Sequence, residues 1–220
     1  SQTNNYSDVS EDAWYNNAVS TLSNAGILDG YEDGTFKPDG NITRAEFATI
    51  AVRFFGGNYE GEDQFTDIAG HWANKYINRA AVLGLINGKG DGTFDPNADI
   101  TRAEAMAIVN RTLGRKPDAD HMLPNMITWE DNLDESKWYY ADVQEATNSH
   151  DFEVESDADG LYEVWTGLLQ VRDWAALERA WPEANSSESP VRSSPPIPIR
   201  CSGIEKKHGK RRGASGPLLS

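Results

Sequence analysis

Several features that are common in proteins are scarce in this sequence of 220 residues. Its single cysteine, Cys201, excludes a disulfide framework and a cysteine-based zinc site, and it leaves no cysteine nucleophile in the part expected to fold. No run of apolar residues approaches the ~20 that a membrane-spanning helix needs. The chain does not begin with Met and has no signal-peptide pattern, so we expect a mature or excised segment.

Basic residues are also scarce over most of the chain. Residues 1–181 carry 13 Lys and Arg against 32 Asp and Glu, whereas residues 182–220 carry 7 against 3. An acidic body argues against nucleic acid, whose binding depends on neutralised phosphates, and against an anionic membrane surface. Residues 182–220 have no apolar periodicity and are rich in Ser, Pro and Gly, which predicts a disordered tail.

The most informative feature that is present is a stretch that occurs twice, at a constant spacing of 58 residues. One copy runs from Gly34 to Glu46 and the other from Gly92 to Glu104, and both end in Thr-Arg-Ala-Glu. Self-similarity at a fixed spacing indicates a repeated structural unit. Thr-x-x-Glu is the capping-box pattern, so Thr43 and Thr101 are predicted to be helix N-caps.

Each repeat is predicted to be a helix, a structured loop and a capped helix. The first helix is expected to start near Trp14 in the first copy and Trp72 in the second, where apolar residues recur at spacings of three and four. Both Trp side chains are expected to be partly buried. Gly26 and Gly84 lie where a helix C-terminus favours a left-handed residue.

A third, divergent copy follows, in which Trp138 stands in for the Trp of the first helix. No Thr-Arg-Ala-Glu occurs in it, and apolar residues from Tyr162 to Trp181 predict one more helix. The chain is thus expected to be mainly α. The predicted segments are repeat 1 (1–60), repeat 2 (61–124), the divergent repeat 3 (125–181) and the disordered tail (182–220).

The Arg of each motif is the residue whose chemistry points to a ligand. Arg44 and Arg102 fall at the first helical position, where free N–H groups and the helix macrodipole already disfavour a cation. A guanidinium at a helix start suits a carboxylate or phosphate ligand. The alternative is an ion pair with one of the many carboxylates of this acidic chain, and the residue types alone leave both interpretations open.

Taken together, aromatic-x-Asp-Val, the Trp of helix 1, Gly-Tyr-x-Asp-Gly-Thr-Phe-x-Pro and Ile-Thr-Arg-Ala-Glu resemble the S-layer homology domain family over residues 6–181. The resemblance implies three tandem helix-loop-helix repeats packed as a pseudo-threefold unit. It further implies an extracellular, non-catalytic module that anchors a secreted protein to the bacterial cell wall or S-layer. The implied partner is a secondary cell wall polysaccharide, linked to peptidoglycan and ending in a pyruvate-ketal sugar, bound in grooves between repeats.

The family's ligand-binding positions map onto eight residues of this chain: Arg44, Arg102, Asp33, Asp91, Gly90, Trp14, Trp72 and Trp138. The first copy has Glu32 where the second has Gly90, which places a repulsive charge beside the first loop. No cofactor, metal or membrane insertion is implied. Because the acidic body repels an anionic polymer at long range, binding is expected to be weaker at very low ionic strength than at moderate salt.

The same residues offer little support for calcium binding or catalysis. The loops starting at Asp29 and Asn87 loosely resemble calcium loops, but their twelfth positions hold Gly40 and Ala98 instead of the required Glu. The four His residues show no metal-binding spacing, and His150 is interpreted as a local hydrogen-bonding residue. Asp and Glu are so abundant that two carboxylates in one groove would not indicate a glycan-hydrolysing enzyme. A structural module that self-associates laterally, without a polymer ligand, remains the alternative function.

Overall fold

The computed structural model describes residues 4–170, which form five α-helices, one short 3₁₀ helix and one β-hairpin. No helix in this range is long and apolar enough to cross a membrane. The elements are α1 (Asn16–Asn24), α2 (Arg44–Arg53), α3 (Asn74–Val82), α4 (Arg102–Thr112), the 3₁₀ helix (Ala119–His121), α5 (Tyr140–Thr147), β1 (His150–Ser156) and β2 (Leu161–Leu168).

The two capped helices confirm the capping-box prediction. The N–H of Glu46 donates to Thr43 Oγ1 at 3.2 Å, and the N–H of Thr43 donates to Glu46 Oε2 at 2.8 Å. Thr101 and Glu104 repeat both bonds at 3.2 and 3.0 Å. Each box satisfies donors that the first turn of a helix otherwise leaves unpaired, so the sequence fixes the starts of α2 and α4 locally.

The first helices of repeats 1 and 2, α1 and α3, each begin two residues after a Trp, and a glycine follows the C-cap of each. Gly26 and Gly84 follow the C-caps of α1 and α3 with φ of +72° and +71°, as predicted. The N–H of Gly26 donates to the carbonyl of Ser23, and the N–H of Ile27 donates to the carbonyl of Leu22. This pair of bonds is the Schellman motif, which turns the chain into the loop of the repeat.

Helices of successive repeats pack on one another. The second helix of repeat 1, α2, lies against the first helix of repeat 2, α3, and α4 lies against α5 in the same way; α2 also contacts α4. Their apolar faces meet in one core centred on repeat 2, which contains Ala45, Ala48, Ala51, Val52, Ile68, Ala73, Ile77, Ala80, Leu85, Ile86, Phe94 and Ile108. The core is therefore shared between neighbouring repeats.

The third copy departs from the prediction after α5. The helix expected from Tyr162 is wrong over its first residues, because β1 and β2 form an antiparallel hairpin in which Phe152 pairs with Trp165. In β2, Glu163 and Trp165 are buried, so the inward-facing residues are two positions apart, as in a strand. The helix prediction relied on the spacing of three between Tyr162 and Trp165. The rest of that predicted helix, from residue 171, and the predicted tail lie outside the described residues.

Candidate ligand-binding grooves between the repeats

The aromatic-x-Asp opening of each repeat fixes the loop that follows its first helix. Asp67 accepts hydrogen bonds from the N–H groups of Phe94 and Asp95 at 2.9 and 2.7 Å, and Asp8 does the same for Phe36 and Lys37. Burial raises the pKa of Asp67, but these two bonds outweigh it and leave the pKa below its ordinary value. Because the same two bonds form in both repeats, the loops of repeats 1 and 2 lie in equivalent positions.

The loop carboxylates Asp33 and Asp91 are exposed and are occupied within their own turns. Asp91 accepts from the hydroxyl and the N–H of Thr93 at 2.6 and 3.0 Å, and Asp33 accepts from Thr35 at the same distances. These bonds, the hydroxyl bond first, hold the pKa of both carboxyls below the ordinary value. Neither Asp lines any groove described below, so the observed role of both is to shape the loop.

Two equivalent grooves lie between successive repeats. Groove A, of about 420 Å³, is bounded by the loop at 28–42 and α2 of repeat 1 and by Trp72 of repeat 2. Groove B, of about 470 Å³, is bounded by the loop at 86–100 and α4 of repeat 2 and by Trp138. Each is formed by the loop and second helix of one repeat together with the Trp of the next copy.

The two grooves differ sharply in charge. Groove A is neutral on balance, because its two cations, Lys37 and Arg53, face two carboxylates, Asp29 and Glu46. Arg53 is paired with Asp29 at 2.6 Å.

Groove B instead holds three cations, Arg44, Lys89 and Arg111, against the single carboxylate Glu104. Asn87 stands where groove A has Asp29, and Lys89 where it has Tyr31. As a result, no carboxylate among residues 4–170 forms an ion pair with Arg111, whose closest partner is the carbonyl of Leu85 at 3.4 Å. Groove B is thus a positive site on an acidic molecule.

Arg44 lies at the inner wall of groove B and is 5% exposed. Its guanidinium donates to Glu104 Oε1 at 2.6 Å, to the carbonyl of Phe94 at 2.8 Å and to that of Asn87 at 3.3 Å. The N–H groups of Arg44 and Ala45 are also taken, by carbonyls of the repeat 2 loop. The start of α2 therefore has no free donors for a ligand, and the ion-pair interpretation describes Arg44 as it stands.

Glu104 connects the motifs of the two repeats. Its Oε2 closes the capping box of α4, while Oε1 accepts from Arg44 at 2.6 Å and from Lys89 at 3.1 Å. Burial raises the pKa of Glu104, but the Thr101 N–H bond, the Lys89 bond and the charge of Arg44 together bring it below its ordinary value. The Arg of one motif thus pairs with the Glu of the next.

Arg102 has the opposite environment at the equivalent position. It is exposed, and neither its guanidinium nor the N–H groups of Arg102 and Ala103 have a partner within residues 4–170. The third copy has no Thr-Arg-Ala-Glu, so the Glu that would pair with Arg102 is missing. Arg102 lines a third cavity of about 800 Å³, groove C, with Trp129, Asn132 and Trp138. It matches the predicted guanidinium at a free helix start.

The expectation of partly buried Trp side chains is wrong. Trp14 is 77% exposed, and Trp72 and Trp138 are each 62% exposed. In repeat 2 the interior position at this turn is filled by the next residue, Ala73, which is fully buried. The indoles of Trp72 and Trp138 instead form groove walls, whereas Trp14 lines none of the three grooves.

The structure brings the eight residues of the resemblance together only in part. Arg44, Gly90 and Trp138 meet in groove B, Trp72 lies in groove A, and Arg102 lies in groove C. Lys89 and Arg111 also lie in groove B and were not predicted from the sequence. Arg111 recurs as Arg53 at the 58-residue spacing, in the last turn of each capped helix, and that recurrence could have identified it.

Two segments of the chain, residues 5–48 and 64–106, match the family model of the S-layer homology domain. They contain the loops of grooves A and B and the starts of α2 and α4. The matched domain is an anchoring module, and the matches place the chain outside the cell, associated with the cell wall. The third copy is not part of either match.

Several surface proteins are similar to part of this chain. Cell surface glycoprotein 1 of Acetivibrio thermocellus is 35% identical over 169 residues, which cover 70% of this chain and 7% of that protein. The cellulosome-anchoring protein of the same organism is 36% identical over 158 residues, covering 69% of this chain and 34% of that protein. The surface-layer 125 kDa protein of Lysinibacillus sphaericus is 34% identical over 117 residues, covering 50% and 10%. The chain thus spans about a third or less of these relatives.

Proposed function

We propose that this chain binds an anionic secondary cell wall polysaccharide, most simply one with a pyruvate-ketal end, and so tethers an exported protein to the cell wall. The observation that carries the proposal is the charge of groove B. In a protein with a net charge of −15, three cations converge on one groove against a single carboxylate. Such a local excess favours a carboxylate ligand even though the body as a whole is acidic.

Within groove B, the cations have different roles. Lys89 is exposed and Arg111 is partly exposed, so both can reach a ligand carboxylate without losing a strong ion pair. Arg44 is held in place by three protein oxygens. One of them, Glu104 Oε1, also pairs with Lys89, so a single carboxylate faces both cations. Arg44 accordingly contributes a fixed positive potential, while Lys89 and Arg111 make the direct contacts.

The Trp side chains supply the apolar half of a sugar site. The exposed indole of Trp138 lines groove B together with Gly90, whose missing side chain leaves the loop open beside it. One face of a sugar ring is apolar and packs well on an indole, while the ring hydroxyls stay accessible to polar loop groups. Asp33, Asp91 and Trp14 then act as loop or surface residues at some distance from the sugar.

Groove C offers a second binding position. Arg102 and two free N–H groups at the start of α4 face Trp129 and Trp138, a combination of donors and aromatic surface that suits a charged sugar. Its lining also contains Glu104 and Asp131, so its charge is less favourable than that of groove B. We therefore place the anionic end in groove B and a further sugar of the same polymer in groove C.

We also propose that the chain contains three copies of the repeat: repeat 1 (1–60), repeat 2 (61–124) and a divergent repeat 3 (125–181). Trp138 and α5 stand in the place of the Trp and first helix of a repeat, and α5 packs on α4 as α3 packs on α2. This correspondence supports a pseudo-threefold arrangement in which the hairpin replaces the third capped helix.

Co-sedimentation with purified cell-wall sacculi, before and after mild acid removal of ketal groups, tests the proposal. The protein should sediment with native sacculi and stay in solution with ketal-free ones. Lys89→Ala/Arg111→Ala should weaken binding by about tenfold or more, since one charge-assisted hydrogen bond corresponds to about that factor.

The matched control is Lys37→Ala/Arg53→Ala, which removes the same two kinds of charge from groove A and should retain near-native binding. Trp138→Ala and Trp14→Ala form a second pair, of which only Trp138→Ala should weaken binding. Equal losses in the two charge variants, or sedimentation that persists without ketal groups, would contradict the proposal and favour lateral self-association.

A further inference from the structure

Away from the grooves, α5 and the hairpin enclose three ionisable side chains that the proposed function does not use. Glu145 comes from the last turn of α5, His150 from the start of β1 and Glu163 from β2. The side chains of Glu145 and His150 are 0% and 1% exposed, and Glu163 is 2% exposed. One nitrogen or oxygen ligand atom from each of the three lies within 4.8 Å of the others.

Two atoms of this cluster are buried without a hydrogen-bond partner. His150 Nδ1 lies 2.8 Å from the carbonyl oxygen of Asn148, which can only accept, so Nδ1 donates this bond and Nε2 is the ring nitrogen that faces the cluster. Glu163 Oε2 makes no hydrogen bond within the described chain, and His150 Nε2 lies 3.2 Å from Glu145 Oε1 outside hydrogen-bond geometry. Buried polar atoms are rarely left unpaired, so Glu163 Oε2 indicates a ligand, with His150 Nε2 beside it in the same cluster.

The surroundings hold the three side chains in position from outside. Arg115 donates to Glu145 Oε1 at 2.6 Å, and Trp165 Nε1 donates to Glu145 Oε2 at 3.1 Å. The N–H of Lys116 donates to Glu163 Oε1 at 3.0 Å, which leaves Oε2 free. The ring of His150 is stacked on Trp165 with a centroid distance of 3.9 Å. Outer hydrogen bonds of this kind are what orient the ligands of a metal site.

We propose that Glu145, His150 and Glu163 bind one divalent transition-metal ion of the zinc type. Imidazole with two carboxylates suits zinc, whereas calcium needs six to eight oxygens. Tetrahedral bonds of ~2.0 Å place neighbouring ligand atoms ~3.3 Å apart, and His150 Nε2 lies 3.2 Å from Glu145 Oε1.

Charge favours the same occupant. Arg115 pairs with Glu145, whereas no Lys or Arg of residues 4–170 forms an ion pair with Glu163. A divalent cation there gives Glu163 a positive partner and joins α5 to both strands of the hairpin. This proposal is independent of polysaccharide binding, because none of the three ligands lines groove A, B or C.

Metal binding by the full chain, stripped with chelator, tests the site directly. Cys201→Ser/His208→Ala serves as the background, since it removes the Cys and His side chains of residues 182–220, which could also bind zinc. Titration with Zn²⁺ against a chromogenic chelator should give one ion per chain, and Co²⁺ should give the visible absorption of a tetrahedral site. Zn²⁺ should also raise Tm.

Glu163→Gln and His150→Gln should each weaken binding by about tenfold or more. His121→Gln is the matched control, because His121 stacks on Tyr162 of the same hairpin but lies outside the cluster. It should bind Zn²⁺ as the background protein does. No binding in the background protein, or equal affinity in all three variants, would overturn the site and leave the cluster as a buried ion pair. The background protein requires no ligand substitution, so the first measurement is decisive even where a variant unfolds.

Discussion

The two motif arginines occupy equivalent sequence positions in opposite environments, so exchanging each for alanine should separate their roles. Arg44→Ala removes a side chain that is 6% exposed and that binds one carboxylate and two backbone carbonyls of the next repeat. Breaking a buried ion pair costs about 3–5 kcal/mol. Because Glu104 keeps its bond to Lys89, we take the lower end, about 3 kcal/mol.

For a chain of this size, ~3 kcal/mol corresponds to a fall in Tm of roughly 6–12 °C. Arg102→Ala removes a side chain that has no partner in residues 4–170, so its free energy of unfolding should change by less than ~0.5 kcal/mol. Thermal unfolding followed by circular dichroism measures both. Equal Tm values for the two variants would refute the argument that Arg44 ties repeat 1 to repeat 2.

Three further predictions concern pH, backbone and salt. The pKa of Glu104 is lowered in the folded state, so its contribution to stability is present above pH 4.5 and is lost as pH falls through the folded pKa; in Glu104→Gln, the acid end of the stability profile should be flatter. Gly84→Ala should cost about 1 kcal/mol because φ is +71°, whereas Gly167→Ala, without that constraint, should change the free energy of unfolding by less than ~0.5 kcal/mol. Polymer binding should pass through a maximum at moderate salt, and a decline from the lowest ionic strength upward would contradict this.

The parts of the fold that follow from local sequence were predictable. Thr43 and Glu46 lie three residues apart and form their hydrogen bonds within one turn, so the capping box is visible in the sequence alone. The hairpin was missed because Tyr162 and Trp165 also fit a helical spacing. Alternation became visible only once Glu163, a charged residue, was found inside. A charged residue at an inward-facing position hides the apolar alternation of a strand, and its hydrogen-bond partner cannot be identified when it lies in a distant segment.

The site was harder to predict because its partners are distant in sequence. The sequence left two interpretations for the motif arginines, and the structure shows the ion pair at Arg44 and a guanidinium without a protein partner in residues 4–170 at Arg102. Arg44 meets Glu104 from the next copy of the motif, whereas Arg102 has no such partner because the third copy lacks the motif. The cluster at His150 was invisible for the same reason, since its three side chains come from a helix and two strands.

The claim that groove B recognises the anionic end of the polymer is tested most directly by giving it the residues of groove A. Asn87→Asp/Lys89→Tyr introduces a carboxylate beside Arg111 and removes one cation, and neither position belongs to the core. Isothermal titration with purified wall polysaccharide should then show affinity reduced by about tenfold or more. Affinity equal to that of the unaltered protein would contradict the account.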